Sequence, residues 1–397
     1  MRIHRIRVVA AVGSASLLML GLAVAPASAH TTSTSPSSGS YRVIAEGLNN
    51  PRGITVDARG ALYVAEAGTG GPESDSCFVA SAGTRVCAGD TSSITQLTAS
   101  RHGWHQQRVV TGLPSLAPPP GATGAGTEAS GASAVLVNGR HYDAVIGFGV
   151  GCEDVASGPD PSCDPWTEHG LSRLSGALVT GTIGSHHAPR VVTSLAEYEY
   201  RTNPIDSPDS NPVSLVRDRG GYLIADAGAN VILQVRSRNH IRALAQFADV
   251  DVQNPFAPPG VMTPMQFVPT SAVRGPDGAL YVSQLTGFPF PQGGSTIWRI
   301  SAGHAPTPYA TGLTNVTDLA FARDGSLYAV EISAAGLLSG DTTGALMRVP
   351  RHGGTATVVA GGLPAPYGVA LQGRDAYVTV NSSSPGIGQV VQVSLTR

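Results

Sequence analysis

Residues 41–66 read YRVIAEGL-NN-PRGITVDARGALYVAE, and this segment contains the unit from which the fold is built. Its second part, residues 51–66, contains two apolar runs joined by the turn DARG. Turns of this kind supply the positive-φ positions that tight β-hairpins require. The same strand pair recurs five times, at residues 131–146, 211–226, 269–284, 316–331 and 367–380. Six copies of one strand pair indicate a repeat architecture.

A third short strand follows each pair, and a fourth strand follows five of them. The third strands are predicted at residues 94–97 (ITQL), 171–174 (LSRL), 232–235 (ILQV), 297–300 (IWRI), 346–349 (LMRV) and 390–393 (VVQV). The fourth strands are predicted at residues 107–113, 189–195, 242–247, 307–313 and 357–363. The sixth module lacks a fourth strand, and YRVIAEGL at the start matches the missing one. The sequence therefore predicts an all-β protein, a six-bladed β-propeller closed by an N-terminal strand that completes the last blade.

The first 29 residues have the pattern of a secretory signal peptide. Arg2, Arg5 and Arg7 precede an apolar run at residues 8–24, and Ala-Ser-Ala at 27–29 gives a cleavage site. A membrane anchor is the weaker alternative, because the cleavage site and a polar linker (30–40) follow at once. We expect a secreted monomer with one propeller domain at residues 41–397 and no membrane anchor after cleavage.

The composition excludes several function classes. All 25 residues counted as Lys plus Arg are Arg, so a P-loop lysine and a pyridoxal Schiff base are excluded. The net charge is −2, and no basic stretch follows the signal, which argues against a nucleic-acid partner.

Four cysteines in an exported chain indicate disulfides. Cys77 and Cys87 fall in one predicted loop, and Cys152 and Cys163 fall in another. Of the three connectivities, the two local closures cost the least loop entropy. Zinc binding is the rival interpretation, although these spacings do not resemble C-x-x-C ligation.

Hairpin geometry predicts which residues share one end of the channel. The residues entering the first strands and those leaving the second strands should lie together. The entering residues are Asn50, Asn211, Thr270 and Asn315, and the leaving residues are Glu66, Asp226, Gln284 and Glu331. Long insertions at 67–93, 147–169, 285–295 and 332–344 leave the same end. Because loops on a rigid scaffold carry function, this is the candidate binding face.

Two chemical interpretations of the acidic residues remain open. Glu66, Asp226 and Glu331 supply the oxygen ligands that suit Ca²⁺, and such an ion polarises a carbonyl in metal-dependent hydrolysis. Equivalent polar residues at strand ends also cap backbone groups without any ion. No serine sits in a G-x-S-x-G elbow, and no H-E-x-x-H motif occurs. A ring of long polar residues on the third strands (Gln96, Arg173, Gln234, Arg299, Arg348, Gln392) is predicted to be a contact between blades or a solvated edge.

Several motifs resemble those of the ScyD/ScyE family of exported β-propellers. They are DSNP (209–212), LIADAGAN (223–230), VPTS (268–271), LTGFPFP (285–291) and TGAL (343–346). The resemblance spans residues 41–397. It implies a secreted propeller and leaves the molecular activity open. More distantly, the blades resemble NHL-repeat and gluconolactonase-type propellers, a fold shared by binding modules and metal-dependent hydrolases.

The leading functional hypothesis is a non-catalytic module that binds a small molecule, a glycan or a protein on the looped face. Its ligand residues would be Asn50, Asn211, Thr270, Gln284, Asn315 and Phe288. An exposed aromatic cluster around Phe288 and Phe290 would favour this hypothesis. The alternatives are a calcium-dependent lactonase-like hydrolase, favoured by bound calcium, and a structural cell-envelope protein. Enzymatic activity thus stays open, with the binding module preferred.

Overall fold

A computed structural model describes residues 41–80, 83–150, 164–202, 209–237 and 240–395. The predicted signal peptide, the polar linker, Cys152 and Cys163 lie outside these ranges. The described chain forms six antiparallel blades, which confirms the predicted six-bladed β-propeller. None of the helices in the described ranges is long and apolar enough to cross a membrane.

The strands of the six blades follow one another along the chain. Blade 1 contains β2 (Pro51–Val56), β3 (Leu62–Glu66), β5 (Arg85–Ser100) and β6 (Gly103–Ala117), with the short β4 (Phe78–Val79) against β5. Blade 2 contains β7 (Ala132–Asn138), β8 (His141–Ile146), β9 (Ala177–Thr182) and β10 (Arg190–Ser194). Blade 3 contains β11 (Val216–Asp218), β12 (Gly221–Asp226), β13 (Val231–Ser237) and β14 (His240–Gln246).

The second half of the ring repeats this order. Blade 4 contains β17 (Pro269–Arg274), β18 (Leu280–Gln284), β19 (Ser295–Ile300) and β20 (Thr307–Leu313). Blade 5 contains β21 (Val316–Phe321), β22 (Leu327–Glu331), β23 (Thr343–Val349) and β24 (Thr357–Pro364). Blade 6 contains β25 (Val369–Gln372), β26 (Asp375–Val380), β27 (Gly388–Ser394) and β1 (Tyr41–Leu48). A separate hairpin, β15 (Val250–Gln253) and β16 (Met262–Met265), joins blades 3 and 4; α1 is Pro165–Glu168, α2 is Leu195–Thr202, and a 3₁₀ turn spans Leu337–Ser339.

The first strand of the propeller pairs with the last one. In the antiparallel pair β1–β27, Tyr41 lies opposite Val393 and Leu48 opposite Gly388. Leu48 is fully buried, in a cluster that includes Tyr377 and Val390. The predicted closure of blade 6 by β1 is therefore confirmed.

The core consists of apolar layers between neighbouring blades. Strand β3 shows why the second strands are apolar throughout, since all five of its residues are buried. Side chains alternate between the two faces of a strand. Val64 packs in the cluster that contains blade 6 residues, whereas Ala65 packs in the cluster that contains blade 2 residues. Both faces of the strand are covered, so neither face carries polar residues before Glu66.

The third strand of blade 2 differs from the prediction. Strand β9 lies at Ala177–Thr182 and not at residues 171–174, because it is the run ALVT that pairs with β8, with Leu178 opposite Val145. Residues 173–176 form a turn, and Leu171 packs in a side cluster with Trp166. Arg173 is consequently absent from the predicted polar ring and contacts Asp164 instead.

The other members of that polar ring make contacts within their own blades. Gln96 donates to Tyr63 at 2.7 Å, Gln234 to Asp218 at 3.0 Å, Arg299 to Asp277 at 2.8 Å and Arg348 to Ser326 at 3.0 Å, while Gln392 accepts from Arg42 at 2.7 Å. Each bond joins the third strand to another part of the same blade. These bonds lie within blades, so they are not the predicted contacts between blades. The alternative prediction, a solvated edge, fits Arg299 and Arg348, whose side chains are 36% and 38% exposed.

The first insertion of blade 1 is partly a strand. Strands β5 and β6 continue together well beyond β3, pairing from Ser100 with Gly103 to Cys87 with Ala117. Cys87 therefore lies in β5 and not in a loop. It forms a disulfide with Cys77, as predicted.

Candidate functional site

The face formed by strand-one entries and strand-two exits is called the mouth face here. Its geometry follows the prediction, because Pro51 lies opposite Glu66, Pro269 opposite Gln284 and Val316 opposite Glu331. An isolated bridge joins Pro212 to Asp226 in the same way. The predicted site residues of four blades thus reach the same end of the channel.

Glu66 is fully buried and fully engaged at the mouth face. Its Oε2 accepts the Asn49 amide at 2.7 Å and Arg108 Nη2 at 2.8 Å. Its Oε1 accepts from Arg108 Nε at 3.0 Å and from the hydroxyls of Ser93 and Thr95. The carboxylate therefore caps the segment that enters its own blade, and Arg108 balances its charge.

Asp226 and Glu331 cap their own blades, and within the described ranges no ion pair involves either of them. Asp226 accepts from the Asn211 amide and the Ser210 hydroxyl, both at 2.7 Å, and from the Ala229 amide at 3.2 Å. Glu331 accepts the Thr314 amide at 2.7 Å. Burial raises the pKa of Asp226 to about 6 and that of Glu331 to about 7, because a low-dielectric surrounding disfavours the charged form.

The three carboxylates do not meet. Within the described ranges, the one set of three metal-capable side chains with ligand atoms inside 4.8 Å is Glu73, Cys77 and Cys87, whose sulfurs form the disulfide. Glu66 lies on the same side of β3 as Val64, toward blade 6, since side chains alternate along the strand. The structure thus directs this carboxylate into the cleft between blades and not onto the channel axis. The geometry does not fit one calcium ion held by all three carboxylates.

The asparagines at the strand-one entries are also buried caps. Asn50 has a φ of 50° and donates from Nδ2 to the carbonyls of Gly68 and Gly126, at 2.7 and 2.8 Å. Asn315 donates from Nδ2 to Leu285 O at 2.9 Å and accepts the Leu337 amide on Oδ1 at 3.1 Å. Each amide group joins two or more loops of the mouth face.

The residue equivalent to Asn50 in blade 4 is Val268 and not Thr270. The backbone carbonyl at this position accepts the amide that follows the second strand, as Asn50 O does from Ala67 and Val268 O does from Leu285. Asn211 occupies the position as predicted, because its carbonyl accepts the Ala227 amide. Thr270 lies farther into the channel and donates to Val316 O of the next blade at 2.7 Å. Gln284 accepts from Trp298 Nε1 at 3.2 Å.

A cavity of about 200 Å³ occupies the propeller axis. The first strands of all six blades line it, with residues that include Thr55, Thr270, Asp318 and Tyr367. Asp318 of blade 5 accepts from the Ser271 hydroxyl in blade 4 at 2.8 Å and from the Val369 amide in blade 6 at 2.9 Å. Sequence reasoning missed Asp318 and Tyr367; the signal available was an acidic residue inside the apolar first strand VTDLAF.

An exposed apolar surface stands on the mouth face between blades 3 and 4. We define the apolar hairpin as residues 250–265, which include the exposed Val250, Phe256, Val261 and Met262. Phe256 is 77% exposed, and its ring centroid lies 6.0 Å from that of Phe288. Phe288 in turn contacts Phe290 edge-on, at 6.5 Å between centroids. The aromatic pair named from the sequence is in contact, but Phe288 and Phe290 are half-buried, and the exposed ring beside them is Phe256.

Comparison with known proteins shows the fold and leaves the family open. No protein-family model and no curated protein matches the chain. Among solved structures, PhoX of Pseudomonas fluorescens in complex with vanadate has a TM-score of 0.50 at 12% identity, covering 91% of this chain and 95% of PhoX. A streptogramin B lyase (TM-score 0.45, 10% identity) covers 90% of this chain and 98% of its own, and a candidate gluconolactonase (0.45, 10%) covers 91% and 96%. At 12% identity the likeness to PhoX concerns the fold alone, and a fold does not choose an activity.

Proposed function

We propose that this protein is a binding module that takes a protein partner on its mouth face through the apolar hairpin. The observation that carries the proposal is Phe256, a phenylalanine that is 77% exposed among other exposed apolar side chains. Contiguous exposed apolar patches on a folded protein mark interaction sites, because leaving them in water is unfavourable. Aromatic residues at such a place are typical binding hot spots.

The hairpin is held rigidly in place. At its base Phe247 and Phe267 stack with centroids 3.7 Å apart, and Met265 is buried. At its tip the Phe256 amide donates to Asn254 Oδ1 at 2.9 Å, and the Gly260 amide donates to Gln253 Oε1 at 2.8 Å. A preorganised surface loses little conformational entropy when a partner binds.

The chemistry of the hairpin supports a protein over a lipid surface or a glycan. Residues 248–268 contain two charged side chains, Asp249 and Asp251, and no Arg. The negative charge of these residues repels anionic lipid headgroups. A partner surface complementary to the hairpin would be apolar with a basic rim. Val250, Val261 and Met262 offer no side-chain hydrogen-bond donor to sugar hydroxyls. The ScyD/ScyE resemblance of the neighbouring LTGFPFP segment stays a hypothesis.

Selection from a displayed random-peptide library tests the proposal with the mature chain as bait. Enriched peptides should combine aromatic or aliphatic anchors with Arg or Lys, and Phe256→Ser should weaken their binding at least tenfold. Val358→Ser, which alters an exposed valine on β24 of blade 5, is the matched control and should leave binding unchanged. Peptides that bind the Phe256→Ser variant as tightly as the parent would refute the proposal.

The calcium-dependent lactonase-like hydrolase is the second candidate. Glu331 favours it, as a buried mouth carboxylate that accepts a single hydrogen bond within the described ranges and has no cation beside it. An ion there would have to be held by fewer protein carboxylates than the sequence suggested. Calcium should then raise the melting temperature of the parent and not that of Glu331→Gln, and the parent should hydrolyse simple lactones. No calcium response and no lactone hydrolysis would remove this candidate.

A further inference from the structure

The wall of the channel cavity contains one carboxylate, and a guanidinium lies against the tyrosine in that wall. Tyr367, in the segment that enters β25 of blade 6, lines the cavity. The guanidinium carbon of Arg52, on β2 of blade 1, lies 5.1 Å from the centre of the Tyr367 ring. Asp318 lines the cavity from β21 of blade 5. Burial raises the pKa of the Tyr367 phenol; of the two charged groups, Arg52 lowers this pKa and Asp318 raises it.

The Arg52 guanidinium retains N–H groups that can donate to a ligand. Its Nη2 donates to Ala129 O at 3.1 Å, which uses one of the five N–H groups of a guanidinium. Across the described ranges no carboxylate oxygen lies within 4.0 Å of its nitrogens. Stacking on an aromatic ring fixes the plane of an arginine and leaves its edge available for a bidentate anion contact.

Asp318 retains one acceptor position. Its Oδ1 accepts from Ser271 Oγ and from the Leu319 amide, both at 2.8 Å, and its Oδ2 accepts from the Val369 amide at 2.9 Å. A carboxylate has about four lone-pair positions, so Oδ2 can accept one more donor. In the described part of the chain, no Arg or His nitrogen lies within 4.0 Å of this carboxylate. Burial raises its pKa to about 6, as a low-dielectric surrounding does for an acid without a counter-charge.

The volume of the channel cavity limits the size of a ligand that can bind there. Pockets for drug-sized ligands occupy about 300–1,000 Å³, whereas this cavity measures about 200 Å³. It is too small for an oligosaccharide or a peptide and large enough for a molecule of a few heavy atoms. The remaining question is the charge pattern of that molecule.

We propose that the channel is a binding site for a small α-amino acid in its zwitterionic form, whose carboxylate contacts Arg52 and whose ammonium group contacts Asp318 beside the Tyr367 hydroxyl. A zwitterion supplies one opposite charge to each protein group and leaves no net charge in the channel. A simple carboxylate would leave Asp318 without a cation, and a simple amine would leave Arg52 without an anion. The proposal rests on the channel and is independent of the apolar hairpin.

Isothermal titration calorimetry on the mature chain at neutral pH tests this site with glycine, glycolate, acetate and methylamine as probes. Glycine should bind saturably, and the other three should bind at least tenfold more weakly. Arg52→Gln should weaken glycine binding at least tenfold, whereas Arg323→Gln, in an exposed turn of blade 5, should leave it unchanged. Tyr367→Phe, which keeps the ring beneath Arg52, is the second variant and should weaken glycine binding severalfold.

Three results would overturn the proposal. The first is the absence of glycine binding to the parent. The second is glycine binding that Arg52→Gln and Tyr367→Phe leave unchanged. The third is acetate or glycolate binding as tight as that of glycine, because recognition would then not require an ammonium group at Asp318.

Discussion

Replacement of Glu66 by Gln tests whether this carboxylate stabilises the fold or serves only to bind a ligand. The substitution keeps the shape and replaces one oxygen by an NH₂ group, which then faces donors in place of an acceptor. If the NH₂ group replaces Oε2, the Asn49 amide and Arg108 Nη2 lose their acceptor; if it replaces Oε1, Arg108 Nε loses its acceptor, so at least one Arg108 N–H is left without a partner. Removing one member of a buried, hydrogen-bonded ion pair costs about 3–5 kcal/mol. Since 39% of the Arg108 side chain is exposed and can regain water, we expect the lower end, about 3 kcal/mol.

Urea unfolding at neutral pH, followed by tryptophan fluorescence with the disulfide intact, measures this loss. Arg108→Gln leaves Glu66 buried without its cation and should also destabilise the protein, by about 3 kcal/mol. The double variant should lose about 1–3 kcal/mol less than the sum of the two, as for residues in direct contact. Glu197→Gln, which breaks an exposed pair with Arg201, is the matched control and should change stability by less than about 0.5 kcal/mol. If Glu66→Gln is as stable as the parent, the carboxylate is not a structural cap and our reasoning about the mouth face is wrong.

Three further predictions concern the closure, the disulfide and pH. Leu48→Ala, at a fully buried position of the closing strand, should cost about 2–5 kcal/mol in urea unfolding, and an unchanged midpoint would argue against a tight closure. Cys77→Ser together with Cys87→Ser should cost about 2–3 kcal/mol by the loop-entropy model, with far-UV circular dichroism retained; loss of the β signal would mean that the bridge is needed for the blades to fold. The folded pKa values of Asp318 and Asp226 are about 6, against 3.8 when unperturbed, so the folded state binds more protons between those values. Stability should therefore fall as pH rises from about 4 to 6, by about 3 kcal/mol per residue at most, and a flat profile in Asp318→Asn and parent alike would contradict this.

The architecture could be predicted from the sequence because six copies of the strand pair give the same indication. Six turn-closed strand pairs fix the number of blades, and the match of YRVIAEGL to the fourth strands fixes the closure. Blade 2 shows the limit of this method. Two apolar runs, LSRL and ALVT, stand side by side there, and only pairing with β8 selects the second. Sequence similarity to the other third strands favoured the first run, which the structure uses to bury Leu171 beside Trp166.

The candidate site was less predictable, because it depends on where each side chain points as much as on its place along the strand. The sequence placed Glu66, Asp226 and Glu331 at the correct end of their strands. It did not reveal that backbone amides of the entering segments would occupy the carboxylates. Asp318 escaped notice because an acid in an apolar first strand has no motif, and only the ring brings Ser271 and Val369 from neighbouring blades to it.

The pairing of β1 with β27 also sets an order on folding. Arg42 and Gln392, which bond across this pair, are 350 positions apart in the chain. Joining ends at that separation costs about 5 kcal/mol of chain entropy, whereas the first hairpin of every blade closes over a few residues. Blades should therefore form early and locally, and the ring should shut late, when both flanking blades already present finished edges. Until then the edge of β27 is exposed and can pair with any strand nearby. The closure of the ring, as the slowest step of folding, is therefore also the step at which two molecules can exchange their first strands.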